Sequence, residues 1–358
     1  MKLLIFCYSL KGQTGSPIRA LNIIEGLAEK IGAENIVLIS SGYSEEVFNK
    51  FRCVDTKNDL FESLEDTIKS EGVDAFLSIT HAHANKFAKI CKRNKVKFFV
   101  DIHALRSLEV MESDVGFKEK IKIISNEGIR WFLGLIKADV IFAANHVLYK
   151  YLRFLLGKKV IDVCGITKIN EHIIKENQSD KIKILYAGNL RKYQGIDLLL
   201  DSIELIEDNI FEFCILGDVG LDKKIEEKIK KVKSGGKKLD HLKSISYSGF
   251  QNFVNDFDVI VIPRPWSLTA YMALPQKLVE AMCLGKCIVA TDILPHKILL
   301  EDCGILAKPN AKSFATAILK TRDKQYVLNR KKLTLKKASE VFNYDKQVSK
   351  IYDKLRNI

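Results

Sequence analysis

No stretch of this chain approaches the roughly 18 consecutive apolar residues that a membrane-spanning helix needs, so a transmembrane role is not expected. The N-terminal run Lys2–Tyr8 is too short and wrongly flanked for a secretory leader; it reads as a first buried strand. Cysteine is present but unorganised. Cys7, Cys53, Cys91, Cys164, Cys214, Cys283, Cys287 and Cys303 are scattered, and no pair at ligand spacing is backed by a second pair, so no zinc site is expected. Free thiols in a reducing cytoplasm are the natural reading. Phosphate-loop signatures are missing too. Gly12-Gln13-Thr14-Gly15 lacks the full glycine pattern of a dinucleotide fingerprint, no acidic residue closes the second strand, and nothing matches a Walker loop. The lysines are not interleaved with aromatics in a recognisable nucleic-acid module. A net charge of +13 therefore points to solvated helix faces such as 222–238, with a phosphorylated ligand or an anionic membrane surface as the further readings.

What is present is an ordinary globular composition, 47% hydrophobic and 28% charged over 358 residues, enough for two cores. Apolar runs and amphipathic patterns alternate twice. In the first half, strands are expected at 2–8, 36–40, 75–79, 97–101 and 139–143, with helices at 17–31, 60–71, 83–94 and 117–137. In the second, strands are expected at 182–187, 211–216, 244–248, 258–262 and 287–290, with helices at 195–206, 222–233, 250–256, 275–284 and 311–321. Such alternation argues for parallel sheets with right-handed crossovers. The expectation is an α/β chain of two doubly wound domains, 1–165 and 166–340, facing each other across a cleft. A last helix over 341–358, capped by Asn343, closes either the second domain or packs back on the first. Ligands in such sheets sit at the carboxyl ends of strands.

The most informative stretch is 275–292. Lys277 and Glu280 stand three apart on a short helix ending at Gly285, so both face one way. A carboxylate can accept from vicinal hydroxyls, while a lysine near a helix start adds charge where amides already favour anions. Arg264, between Pro263 and Pro265 after strand 258–262, is suited to phosphate oxygens, with the Ser267 and Thr269 hydroxyls following. Gly15 and Ser16 precede a helix starting near Pro17, where backbone amides can approach phosphate. His103 ends the strand Phe98–Ile102, with Asp101 and Arg106 close by; it is read as the catalytic histidine. His81 and His83 flank another strand end, after Ile79 and Thr80. Helix 117–137 mixes Lys118, Lys120, Lys122 and Arg130 with Ile121, Ile124, Trp131, Phe132 and Leu135. It either lies on an anionic membrane or simply covers the first sheet.

Laid out in order, these segments resemble the GT-B glycosyltransferases, specifically glycosyltransferase family 4. The resemblance runs nearly end to end: 11–21, Val100-Asp101-Ile102-His103, 138–145, Tyr186-Ala187-Gly188-Asn189-Leu190-Arg191-Lys192-Tyr193-Gln194-Gly195, Ile215-Leu216-Gly217-Asp218, Tyr247-Ser248-Gly249-Phe250 and 275–292. It implies a retaining hexosyl- or N-acetylhexosaminyl-type transferase in cell-envelope glycan synthesis. The partners would be a nucleotide-sugar donor and a glycan or lipid-linked acceptor, with no cofactor or metal. The location would be cytoplasmic or at the inner membrane face. The base would sit against Gly249 and Phe250 and the ribose on Glu280. The diphosphate would lie near Gly15, Arg264 and Lys277, with Leu278 counted on the same donor side. His103 would approach the sugar, with His81, His83 and Arg106 on the acceptor side. Two family cations are replaced by Asn189 and Gln194, leaving Arg191 and Lys192 as substitutes, and the first of two family glutamates is Met272. Those departures keep two alternatives open: a nucleotide-sugar 2-epimerase on the same fold, and a non-catalytic nucleotide-binding relative.

Overall fold

The computed structural model describes residues 1–11, 15–56, 59–112, 116–167, 179–190, 192–218, 223–245 and 247–357. The chain divides into two compact units, Met1–Thr167 with Asn343–Ile358, and Lys168–Phe342.

Unit 1 runs β1 (Leu3–Phe6), α1 (Gly15–Ile31), β2 (Ile36–Ser40), α2 (Glu45–Lys50), β3 (Arg52–Asp55), α3 (Leu60–Glu71), β4 (Ala75–Ser78), α4 (Ala84–Arg93), β5 (Lys97–Ile102), α5 (Arg106–Glu112), α6 (Phe117–Lys137), β6 (Val140–Ala143), α7 (His146–Leu156) and β7 (Val160–Asp162). Its sheet has the order β3-β2-β1-β4-β5-β6-β7 and every pair is parallel. A sheet buried on both faces needs unbroken apolar strands; Leu3, Leu4, Ile5 and Phe6 are accordingly almost wholly buried. The strand order reverses beside β1. Right-handed crossovers then put α1 and α2 on one face and α3, α4, α6 and α7 on the other. Hydrophobic patterning does not announce β3, an edge strand whose residues are half exposed, or β7, only three residues long. The helix α7 likewise has no counterpart among the expected elements.

The chain's last helix belongs to unit 1. In this helix, α16 (Tyr344–Arg356), Asn343 caps the start by accepting from the Lys346 amide. Val348, Ile351 and Leu355 join Ile23, Ile24 and Leu27 of α1 in one core, and the Tyr344 hydroxyl donates to the Asn22 carbonyl at 3.0 Å. The approach is so close that a Cβ on Gly26 would lie 2.4 Å from Val348.

Unit 2 runs β8 (Ile182–Ala187), α8 (Ile196–Glu204), β9 (Phe211–Leu216), α9 (Lys223–Ser234), β10 (Leu239–Leu242), α10 (Tyr247–Asn255), β11 (Val259–Ile262), α11 (Leu268–Met272), α12 (Gln276–Cys283), β12 (Cys287–Thr291), α13 (Leu294–Leu300), β13 (Ile305–Ala307), α14 (Ala311–Leu319) and α15 (Lys324–Val341). Its parallel sheet has the order β10-β9-β8-β11-β12-β13. One strand expectation fails. The strand placed at 244–248 is instead β10, and Tyr247 already begins α10. An edge strand with one neighbour need not be apolar: in β10 only Leu239 is buried, so the hydrophobic signal pointed to the wrong residues.

Candidate functional site

In unit 2 the carboxyl ends of β8, β11 and β12 come together around Arg264. Gly195, at φ 84°, lets the turn after β8 approach β11: a Cβ there would lie 1.8 Å from the Pro263 carbonyl oxygen. Only glycine fits. That approach sets Gln194 beside Arg264. The guanidinium, 8% exposed, donates through Nε to Gln194 Oε1 at 3.0 Å and through Nη1 to the Ala273 carbonyl at 3.1 Å. The Arg264 carbonyl in turn accepts from the Thr291 hydroxyl at 2.6 Å. Prolines on both sides restrict the backbone. Arg264 is therefore a positioned cation rather than a swinging one.

Two residues beyond Ala273, Pro275 stands at the N-cap of α12, whose first turn carries no acidic residue. Lys277 and Glu280 share a face of α12. Lys277 Nζ lies 2.9 Å from Glu280 Oε2 and 3.5 Å from the centre of the Phe250 ring, a cation–π contact. Glu280 is 4% exposed, yet its Oε1 is buried with no hydrogen-bond partner among the described residues. Burial raises the Glu280 pKa, opposed by the Lys277 ammonium and by the nearby Gln276 side chain. A buried carboxylate oxygen without a donor is costly, and such groups call for an explanation.

The other donor-side candidates take varied places. Ser267 caps α11, accepting from the Ala270 amide at 3.1 Å, and Thr269 is buried in that helix. Leu278 is completely buried and its amide donates to the Pro275 carbonyl, so its side chain serves the core. Gly249 lies in α10. Phe250 is buried with Lys277 over its ring. Asn189 is exposed, its carbonyl accepting from the Tyr186 hydroxyl at 2.8 Å. Met272 ends α11. Arg191 lies outside the described residues.

In unit 1, Gly15 and Ser16 open α1 and Arg106 opens α5; the side chains of Ser16 and Arg106 lie outside the described set. His103 follows β5, and burial lowers its pKa, the Asp101 charge opposing and Arg19 adding. Asp101 is not available for chemistry. It is wholly buried and held by Arg19 through Nε at 2.9 Å and Nη2 at 2.7 Å, with Nη2 also donating to the Val163 carbonyl. His81 is buried with its ring edge-on to Trp131 at 5.2 Å. His83, at φ 60°, precedes α4 and sits edge-on to Phe61 at 5.4 Å. The two histidines thus share a turn but have different surroundings.

Sequence reasoning missed three parts of this arrangement: the Gln194–Arg264 bond, the Arg19–Asp101 pair and His296. His296 is wholly buried on α13, with Nδ1 2.9 Å from the Thr291 carbonyl. Burial, with the Arg264 charge adding, pushes its pKa down to about 3, so at neutral pH the uncharged ring donates through Nδ1. All eight cysteines are free, and burial pushes Cys283 and Cys287 up to about 12, which makes them inert thiols. Among the described residues no group of three or more His, Cys, Asp or Glu is placed to hold a metal.

Residues 181–323, the bulk of unit 2, match the family described as glycosyl transferases group 1. Over the whole chain the architecture is that of several solved glycosyltransferases. It resembles Anabaena HepE in complex with UDP-glucose at a TM-score of 0.75 and 14% identity, covering 100% of both chains. It resembles the sucrose-phosphate synthase of Thermosynechococcus elongatus at a TM-score of 0.77 and 14% identity, covering 99% of this chain and 98% of the other. The chain has the GT-B fold. In sequence, an uncharacterized glycosyltransferase of Methanocaldococcus jannaschii is 26% identical over 76% of this chain and 71% of its own length.

Proposed function

We propose that the chain transfers a glycosyl group from a nucleotide-sugar donor to a glycan or lipid-linked acceptor. The observation that carries this reading is Glu280. Its buried Oε1 lacks a donor, and a ribose hydroxyl supplies one. Lys277 and Arg264 supply fixed positive charge for a diphosphate without a metal ion. Charge held in place before the reaction stabilises a departing nucleotide at no reorganisation cost. Retention of anomeric configuration belongs to the same reading, through the family resemblance. Support comes from the match of unit 2 to group 1 glycosyl transferases and from the likeness to HepE, whose crystals hold UDP-glucose. The epimerase alternative loses ground because Asp101, its one acidic candidate beside His103, is consumed by Arg19.

The test is thermal unfolding with UDP and a panel of other nucleoside diphosphates, followed by nuclear magnetic resonance of the product formed from the matching sugar donor. A nucleotide-dependent rise in Tm, turnover that survives EDTA and an unchanged anomeric configuration are expected. No response to any nucleotide would remove the reading altogether. Binding without turnover of any donor would reduce it to a nucleotide-binding protein.

A further inference from the structure

Unit 1 carries a second surface with a distinct chemistry, on the face of its sheet covered by α6 and α7. The inner side of α6 is well packed. Leu135 is fully buried, and a Cβ on Gly134 would lie 2.2 Å from the Asn85 amide nitrogen, so α6 lies hard against α4. Its outer side carries exposed apolar residues among its lysines: Ile121 is 51%, Ile129 63%, Leu133 43% and Ile136 51% exposed. On α7, Phe154 is 88% exposed, with Tyr151 and Leu155 beside it also exposed.

These are parts of one surface. Lys159, just after α7, donates from Nζ to the carbonyls of Leu135, Ile136 and Ala138. The end of α7, which carries Phe154 and Leu155, therefore lies beside the end of α6, which carries Leu133 and Ile136. The rim is basic. Segments 117–137 and 146–159 hold nine Lys and Arg residues against two acidic ones, both of them in the first segment. Lys118, Lys122, Arg130, Lys150 and Lys158 are all exposed.

We propose that this face docks on the surface of an anionic lipid bilayer, with the side chains of Ile129, Ile136 and Phe154 entering the interface and the lysines and arginines meeting lipid phosphates. Charge complementarity selects the occupant. Exposed apolar side chains interspersed with positive charge match an apolar interior beneath a negative surface. No helix among the described residues is long and apolar enough to cross a membrane, so the contact is peripheral. Sequence periodicity alone leaves α6 open between this role and plain sheet cover; its inner side packs on α4, which leaves the outer side for the membrane.

The experiment is co-sedimentation of the full chain with phosphatidylcholine vesicles, with and without about 30% phosphatidylglycerol, since polybasic binding depends on anionic lipid. The chain should pellet with the anionic vesicles only and return to the supernatant at high salt. Ile129→Ser with Phe154→Ser should lower partitioning about tenfold or more. Lys150→Glu with Lys158→Glu should lower it by at least about fivefold per charge removed. Phe48→Ser is the control: that residue, 63% exposed, lies on α2, on the opposite face, and should leave partitioning unchanged. Unchanged melting curves show that each variant folds. Protein left in the supernatant with both vesicle types overturns the proposal. So does equal pelleting of wild type and the double variants. A dimer in sedimentation velocity that Phe154→Ser disperses, without vesicle binding, assigns the face to a second copy and also overturns it. None of these outcomes depends on nucleotide binding.

Discussion

Replacing Glu280 by glutamine separates a site residue from a structural one, because fold stability and nucleotide affinity should move in opposite directions. In the unliganded chain the carboxylate is buried with one oxygen on Lys277 and one without a donor. The amide oxygen of Glu280→Gln would keep an acceptor for Lys277, and Lys277 would keep its contact with the Phe250 ring. The buried charge disappears, and a neutral orphan atom replaces a charged one at lower cost. We expect the variant to be more stable at neutral pH by about 1 kcal/mol, or about 2–4 °C in Tm for a unit of this size.

The pH dependence follows from the raised pKa. A folded state that prefers the protonated carboxyl is favoured at low pH and loses that advantage as pH rises through the elevated pKa. Wild type should therefore fall behind the Gln variant as pH climbs above the ordinary carboxyl value of 4.5, and the two should converge below it. Nucleotide binding should go the other way. A hydrogen bond to a charged acceptor contributes about 1–1.5 kcal/mol more than one to a neutral amide, so the Kd for UDP should rise about 5- to 13-fold. Melts across pH and calorimetric titration with UDP measure the two. A Gln variant less stable at pH 7 with unchanged nucleotide affinity would refute the argument and make Glu280 a fold residue.

Gly195→Ala should lower Tm and nucleotide affinity together, since its Cβ would meet the Pro263 carbonyl at 1.8 Å and left-handed alanine costs about 1–2 kcal/mol before any clash; thermal unfolding with and without UDP reads both effects. Arg19→Met should cost about 3–5 kcal/mol by leaving Asp101 charged and buried, while Arg19→Met with Asp101→Leu should recover most of it, as measured by urea unfolding. His296→Asn should flatten acid unfolding: with a folded pKa pushed down to about 3, the wild-type histidine withdraws stability as pH falls below about 6.5, and melts at about pH 4 against about pH 7 test this. Gln194→Lys should weaken UDP binding despite the added charge, because it removes the acceptor that holds Arg264 Nε; tighter binding in the titration would contradict this.

The parts of the fold legible in the sequence are those that a doubly wound sheet forces to be apolar. Central strands such as Leu3–Phe6, Ile182–Ala187 and Val259–Ile262 are buried on both faces, and their runs of Leu, Ile and Val cannot read as anything else. Edge strands carry no such constraint. Arg52–Asp55 and Leu239–Leu242 have one neighbour each, so the first was invisible and the second misplaced. In the site, the Lys277–Glu280 pair was readable because helical spacing alone brings i and i+3 together. Arg264 was readable as a cation at a strand end, but its anchoring was not. That anchoring depends on Gln194 some seventy residues earlier, brought close by a backbone approach that no local pattern encodes. Exposed Phe154 was equally hidden, because the same residue on α7 would be unexceptional if it pointed inward.

The anchoring of Arg264 also changes what the departures from the family pattern mean. Read as composition, Gln194 is a lost cation. Read as geometry, it is the acceptor that holds one. A lysine at 194 would set its ammonium against the Arg264 guanidinium, and at about 4 Å two like charges repel by several kcal/mol in a partly buried setting. A neutral amide instead lends its oxygen to Nε, while the Ala273 carbonyl takes Nη1, and both bonds orient the guanidinium without adding charge. His296 belongs to the same scheme. With its pKa pushed down to about 3, it stays neutral and fixes the Thr291 backbone, whose hydroxyl holds the Arg264 carbonyl. On the proposed reading these contacts fix Arg264 in place as one of two cations, with Lys277 the other, and charge held in place beforehand is what would stabilise a leaving diphosphate.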